Sequence, residues 1–146
     1  MIRPKPHVLI VEDEPDTLLL LRANLEASGF DTSLAADGGT ALRRIAVEHP
    51  DVVLLDLMLH GMDGWGVLAQ VGSDQASPPV VVCSAKDAPR DRTRASRMGA
   101  AAYVMKPFDL DGLLETLIRV CAERSDLERP LRRADSPVPD RGVELA

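Results

Sequence analysis

Four apolar runs in this 146-residue sequence each end at a residue able to do chemistry. Val8 to Val11 gives way to Glu12 and Asp13, and Val52 to Leu55 to Asp56. Val80 to Cys83 gives way to Ser84, and Ala102 to Met105 to Lys106. Three carboxylates brought to one place repel one another, and some are held protonated unless a cation joins them. An all-oxygen set without histidine or cysteine suits a hard divalent cation, Mg²⁺ first and Mn²⁺ as a substitute. An aspartate beside such an ion can act as a nucleophile toward a phosphoryl group and form an acyl phosphate. A lysine and a hydroxyl nearby would then meet the charge on the transferred group.

That chemistry requires residues up to 94 positions apart to meet, so the elements carrying them matter. The apolar runs are short and rich in valine and leucine, as strands buried on both faces are. Helical patterns alternate with them. Pro15 suits a first helical position, with Leu18, Leu21 and Leu25 at helical spacing up to Gly29. Residues 30 to 36 read as a weaker strand nearer an edge. Asp37-Gly38-Gly39 is a turn before Ala41, Leu42, Ile45 and Ala46, and Pro50 closes that helix. Glycines 61, 64 and 66 make a loop, with a short helix from about Trp65 to Val71. Residues 88 to 98 are helical but weakly amphipathic, and Leu110, Leu113, Leu114, Leu117, Ile118 and Cys121 give the cleanest stripe. Strands alternating with helices form βαβ units, hence an α/β fold with a parallel sheet covered on both faces. In such sheets ligands bind outside the carboxyl ends of the strands, where Glu12-Asp13, Asp56, Ser84 and Lys106 fall.

Composition narrows the class further. The chain can bury a core without disulfides. A net charge of −6 disfavours direct nucleic-acid binding by this domain, which needs clustered lysine and arginine. No apolar run approaches a membrane span, and no signal peptide is legible. Cys83 and Cys121 lack metal-site spacing, so they are expected as buried thiols in a reducing, cytoplasmic compartment. His7, His49 and His60 share no spacing, and none is expected to bind a metal. From residue 125 the composition shifts to proline, arginine, aspartate and serine without periodicity, so 125–146 reads as a flexible tail or linker.

The segments VLIVEDE (8–14), DVVLLDLML (51–59), GMDGWG (61–66), PVVVCSA (79–85) and YVMKPF (103–108) resemble, in this order, the receiver domains of two-component response regulators. The resemblance covers about residues 6–124. It implies a flavodoxin-like five-stranded parallel sheet of order 2-1-3-4-5. It implies that Asp56 is the phosphoacceptor, with metal held by Asp13, Asp56 and the Met58 carbonyl, and by Glu12 through water. Lys106, joined to Pro107 by a cis bond, would bind the phosphate, and Ser84 and Tyr103 would be the switch pair. The expected donor is a sensor histidine kinase or a phosphotransfer protein. Phosphorylation would draw Ser84 to the phosphate, turn Tyr103 inward and change the 88–124 face read by an output domain or partner. Activity would be limited to self-catalysed phosphoryl transfer and slow self-dephosphorylation, with no separate substrate turned over. One departure is His60, where the family usually has a stiffening proline. Another concerns assembly: Ala101, Ala102 and Thr116 stand where related receivers carry ion-pairing residues, so a monomer or weak dimer is expected.

Other readings are weaker. A flavin-type module would need amides cradling phosphate in the first loop, and Glu12-Asp13-Glu14 would repel it. A non-phosphorylated interaction module would have lost Asp13, Asp56 or Lys106. An aspartyl-nucleophile hydrolase needs a second positioned acid or base and a cap. Arg90, Arg92, Arg94 and Arg97 are expected as a solvated helix face, and Trp65 as a packing residue.

Overall fold

The computed structural model describes residues 5–59, 64–85 and 89–127, with side chains to Arg124. His60 and residues 128–146 of the expected tail lie outside the described residues.

Five strands alternate with five helices: β1 (His7–Val11), α1 (Pro15–Ala27), β2 (Asp31–Ala35), α2 (Gly38–Glu48), β3 (Val52–Asp56), α3 (Gly64–Gly72), β4 (Val80–Ser84), α4 (Pro89–Arg97), β5 (Ala102–Met105) and α5 (Leu110–Leu127). All strand pairs are parallel, in the order β2-β1-β3-β4-β5. α5 runs three residues into the stretch read as tail.

Alternation along each strand sorts the core into two layers. Leu9, Val11, Val53 and Leu55 face Ala41 and Ile45 of α2, Val67, Leu68 and Val71 of α3, and Ala95 of α4. Val8, Ile10, Val52 and Leu54 face Leu21 and Leu25 of α1 and Leu113, Leu117 and Val120 of α5. The strands of the sheet centre read as unbroken apolar runs because both of their faces are covered. Each fully buried aliphatic side chain contributes about 1.5–3 kcal/mol relative to exposure.

Local signals fix the helix ends. Glu14 caps α1 by accepting the Thr17 N–H at 3.0 Å, with Pro15 at the first helical position. Asp37 caps α2 by accepting the Thr40 N–H at 2.8 Å. His49 stops α2 in the left-handed region, with φ of 50°. Gly99 has φ of +101°, and a Cβ there would lie 2.2 Å from the Gly72 carbonyl oxygen. The ends of α3 and α4 therefore pack backbone against backbone, a closeness that only glycine allows.

Candidate functional site

Each site residue leaves the sheet at the same edge. Glu12 and Asp13 follow β1 directly, Asp56 and Ser84 are the last residues of β3 and β4, and Lys106 follows β5. In-register pairing keeps those ends level: Val11 lies opposite Leu55, Asp56 opposite Cys83, and Ser84 opposite Met105. The Lys106 N–H donates to the Ser84 carbonyl at 2.8 Å, continuing the ladder one step past β5.

Glu12, Asp13 and Asp56 each offer a carboxylate oxygen, and these atoms lie within 4.8 Å of one another. Lys106 Nζ donates to Glu12 Oε1 at 2.7 Å and to Asp56 Oδ2 at 3.2 Å. The Met58 N–H donates to Asp56 Oδ1 at 2.9 Å, so both phosphoacceptor-candidate oxygens are held. The Glu14 N–H donates to Glu12 Oε2 at 3.2 Å. Glu12, Asp56 and Ser84 are the buried polar or charged residues of the described core, and Asp13 is half-buried.

Burial pushes the Glu12 carboxyl above its ordinary value and the Asp56 charge adds to the rise, against the opposing pull of Lys106. Burial alone would lower the Lys106 pKa, but the Glu12 hydrogen bond and the charges of Asp56 and Glu12 outweigh it and leave it raised. The ammonium is thus firmly charged, and it binds two carboxylates together. Three oxygen ligands with a buried, crowded Glu12 fit a hard divalent cation in donor type and in charge.

Tertiary structure added two features that the strand ends alone did not show. The Met58 amide, rather than its side chain, fixes the Asp56 carboxylate. Gly64 packs so closely under β3 that a Cβ would lie 2.4 Å from the Asp56 carbonyl oxygen and from Leu57 Cα. The glycine-rich loop was the sequence signal for it. The Lys106–Pro107 bond is cis, as the resemblance implied.

Tyr103 lies on β5 at the edge of the sheet. The residue is 8% exposed and packs in the layer shared with α2, α3 and α4, with the Arg92 guanidinium 4.8 Å from the ring centroid. Arg94 likewise lies 4.1 Å from the Trp65 ring centroid. Two of the four arginines of α4 are therefore engaged with aromatic faces, a cation–π arrangement that lets a charged side chain cover apolar surface.

The response regulator receiver domain profile matches residues 8–118. This chain belongs to that family. The receiver is 39% identical over 139 residues to the transcriptional activator protein IrlR of Burkholderia pseudomallei, covering 95% of this chain and 58% of that protein. It is 39% identical over 132 residues to the transcriptional regulatory protein KdpE of Mycobacterium tuberculosis, covering 88% of this chain and 58% of that protein. The chain thus spans little more than half the length of these relatives. Among solved structures, the receiver domain of Francisella response regulator 1452 superposes with a TM-score of 0.78 at 28% identity, covering 82% of this chain and 98% of that one. The BeF3-activated N-terminal receiver domain of Klebsiella pneumoniae RstA gives 0.74 at 31% identity, covering 79% and 97%. Among the described residues, no helix of the receiver is long and apolar enough to cross a membrane.

Proposed function

We propose that this receiver is a phosphorylation-dependent signalling switch that takes a phosphoryl group onto Asp56 and relays the change through residues 88–124. The observation that carries the proposal is the Lys106 ammonium bridging Asp56 and Glu12 beside Asp13. It puts a nucleophilic carboxylate, a fixed cation and a hard-metal ligand set at one point.

Asp13, Asp56 and the Met58 carbonyl would hold Mg²⁺, with Glu12 acting through water, and the ion would supply charge neutralisation to the transferring phosphoryl oxygens. An Asp56 oxygen forms the new P–O bond as the P–N bond to a donor histidine breaks. The Met58 N–H orients the carboxylate for that attack. Lys106 exchanges its contact with Asp56 Oδ2 for a phosphoryl oxygen, where its raised pKa keeps the proton in place. The Ser84 hydroxyl, on the neighbouring strand end, turns to another phosphoryl oxygen. The same residues support the slow loss of the phosphoryl group to water and no turnover of a separate substrate.

The donor is read as a sensor histidine kinase or phosphotransfer protein in the cytoplasm. An apolar groove of about 450 Å³ opens beside Lys106, lined by Leu20 and Leu21 of α1 and by Pro107 and Phe108. Such a groove gives a partner helix a place to rest while its histidine reaches the site. The recipient of the signal is an output domain or separate protein, and the receiver itself acts as a monomer or weak dimer.

Intact mass after incubation with acetyl phosphate and Mg²⁺ tests the reading. One phosphoryl adduct is expected, absent with chelator and absent in Asp56→Asn. A full adduct on Asp56→Asn, or equal yield without divalent metal, overturns it.

A further inference from the structure

At the opposite end of the sheet from Asp56, a second polar cluster sits under the C-terminal end of α2. His7 opens β1, Ser33 lies in β2, and Glu48 is the last residue of α2. They line an open recess of about 490 Å³ together with Asp31 and Thr32. His7 Nε2 lies 2.9 Å from Ser33 Oγ and 3.6 Å from Glu48 Oε1. Nothing in the phosphorylation chemistry uses these groups.

Two observations point to a ligand. First, the Glu48 Oε1 atom is buried yet makes no hydrogen bond. Buried polar atoms are rarely left so unless an ion or water meets them. Second, the spacing is that of a coordination edge. Two atoms each about 2.1 Å from a tetrahedral Zn²⁺ lie about 3.4 Å apart, close to the 3.6 Å between His7 Nε2 and Glu48 Oε1. We propose that His7 Nε2 and Glu48 Oε1 form a binding site for one divalent transition-metal ion of the zinc type, completed by solvent.

Charge and donor type agree. Glu48 Oε2 is held by the Arg44 guanidinium, which leaves Oε1 as the oxygen facing His7. Asp31 lines the recess, and the Asp51 carboxylate accepts the His7 N–H at 2.7 Å. Glu48, Asp31 and Asp51 against Arg44 leave two net negative charges around the His7 ring, matched to a divalent ion. Burial works to raise the Glu48 pKa, but Ser33, Arg44 and His7 outweigh it and keep the carboxyl below its usual value, ionised and able to ligate. The Ser33 hydroxyl has one proton and two acceptors in reach. On metal binding it gives up His7 Nε2 and turns toward the carboxylate or water. An imidazole selects zinc, copper or nickel over magnesium, so this site and the all-oxygen site differ in the metal they prefer. Histidine spacing along the chain concealed the pair, because its members come from β1 and α2. A bound ion would tie the β1–β2 edge to the end of α2.

The test is titration of ZnCl₂ into the full chain in excess Mg²⁺, following stoichiometry by calorimetry and the three histidine rings by NMR. The expected result is one Zn²⁺ per chain with the His7 ring perturbed. His7→Gln, which can still bond Ser33, and Glu48→Gln should each weaken binding at least tenfold while circular dichroism stays unchanged. His49→Ala should bind as the parent does. Absence of binding overturns the proposal, as does undiminished binding in His7→Gln or a response confined to His49 or His60. Zinc lost only in Asp13→Asn would mark entry into the acidic pocket and would equally overturn it.

Discussion

Lys106→Met removes one charge and keeps a long, unbranched side chain. It leaves the Glu12 and Asp56 carboxylates, with side chains only 4% and 8% exposed, without the ammonium that bridges them. Removing one partner of a buried ion pair costs about 3–5 kcal/mol, and partial access of water to this site brings the expectation down to roughly 2–3 kcal/mol. For a domain of this size that is a fall of roughly 8–12 °C in melting temperature. The pH dependence follows from Glu12. Its pKa lies above the usual 4.5 in the folded protein, so its contribution to stability is full below that value and is lost as pH rises through the folded pKa. Losing Lys106 raises the Glu12 pKa further. The deficit of Lys106→Met should therefore be largest at neutral pH and shrink toward pH 5. Lys106, with its pKa above 10.5, keeps its contribution until strongly alkaline pH, so the deficit should be flat between pH 7 and 9. Urea melts with chelator at pH 5 to 9 measure this, and Mg²⁺ should restore more stability to the variant than to the parent. Adding Glu12→Gln to Lys106→Met should recover part of the loss. A variant as stable as the parent at pH 7, or a deficit equal at pH 5 and pH 8, would refute the argument.

Four further outcomes follow from packing and burial. Gly64→Ala drives a Cβ to 2.4 Å from the Asp56 carbonyl oxygen, so the loop must shift; denaturant melts should show a loss of about 1–3 kcal/mol, and phosphorylation by acetyl phosphate should slow. Leu113→Ala empties a fully buried position in the core layer that α1 and α5 cover and should cost about 2–5 kcal/mol in the same melts while Asp56 still accepts phosphate. Burial pushes the Cys83 thiol up to about 12 and the Cys121 thiol up to about 11, so both should react slowly with a disulfide reagent at pH 8 and fast once unfolded. Because those folded values exceed the usual 9.0, stability should be unaffected by the thiols below pH 9 and fall as pH rises toward 11, which a pH series of melts checks.

Sequence alone determined the strands and the residues at their ends. Runs such as Val52 to Leu55 have few conformations open to them other than a strand buried on both faces, and a carboxylate that ends such a run is conspicuous. Asp56, Glu12 and Lys106 were legible for that reason, and Pro15 and Gly29 marked the ends of α1 by their own backbone restrictions. Tertiary structure decided whatever depended on two elements meeting. The bond from Lys106 to Glu12 needs β1 and β5 to be level across the sheet, and no local pattern states that register. Arg92 and Arg94 read as a solvated face because a sequence shows their charge and not the aromatic rings that Tyr103 and Trp65 turn toward them. Tyr103 could not be assigned inside or outside from a short strand at the edge of the sheet; packing beside Ala95 and under Arg92 settled it. His7 and Glu48 lie 41 positions apart with no shared periodicity, and only the descent of α2 onto the start of β1 and β2 brings an imidazole within 3.6 Å of a carboxylate. Local chain physics fixes which residues end an element, whereas long-range packing fixes which of those ends touch.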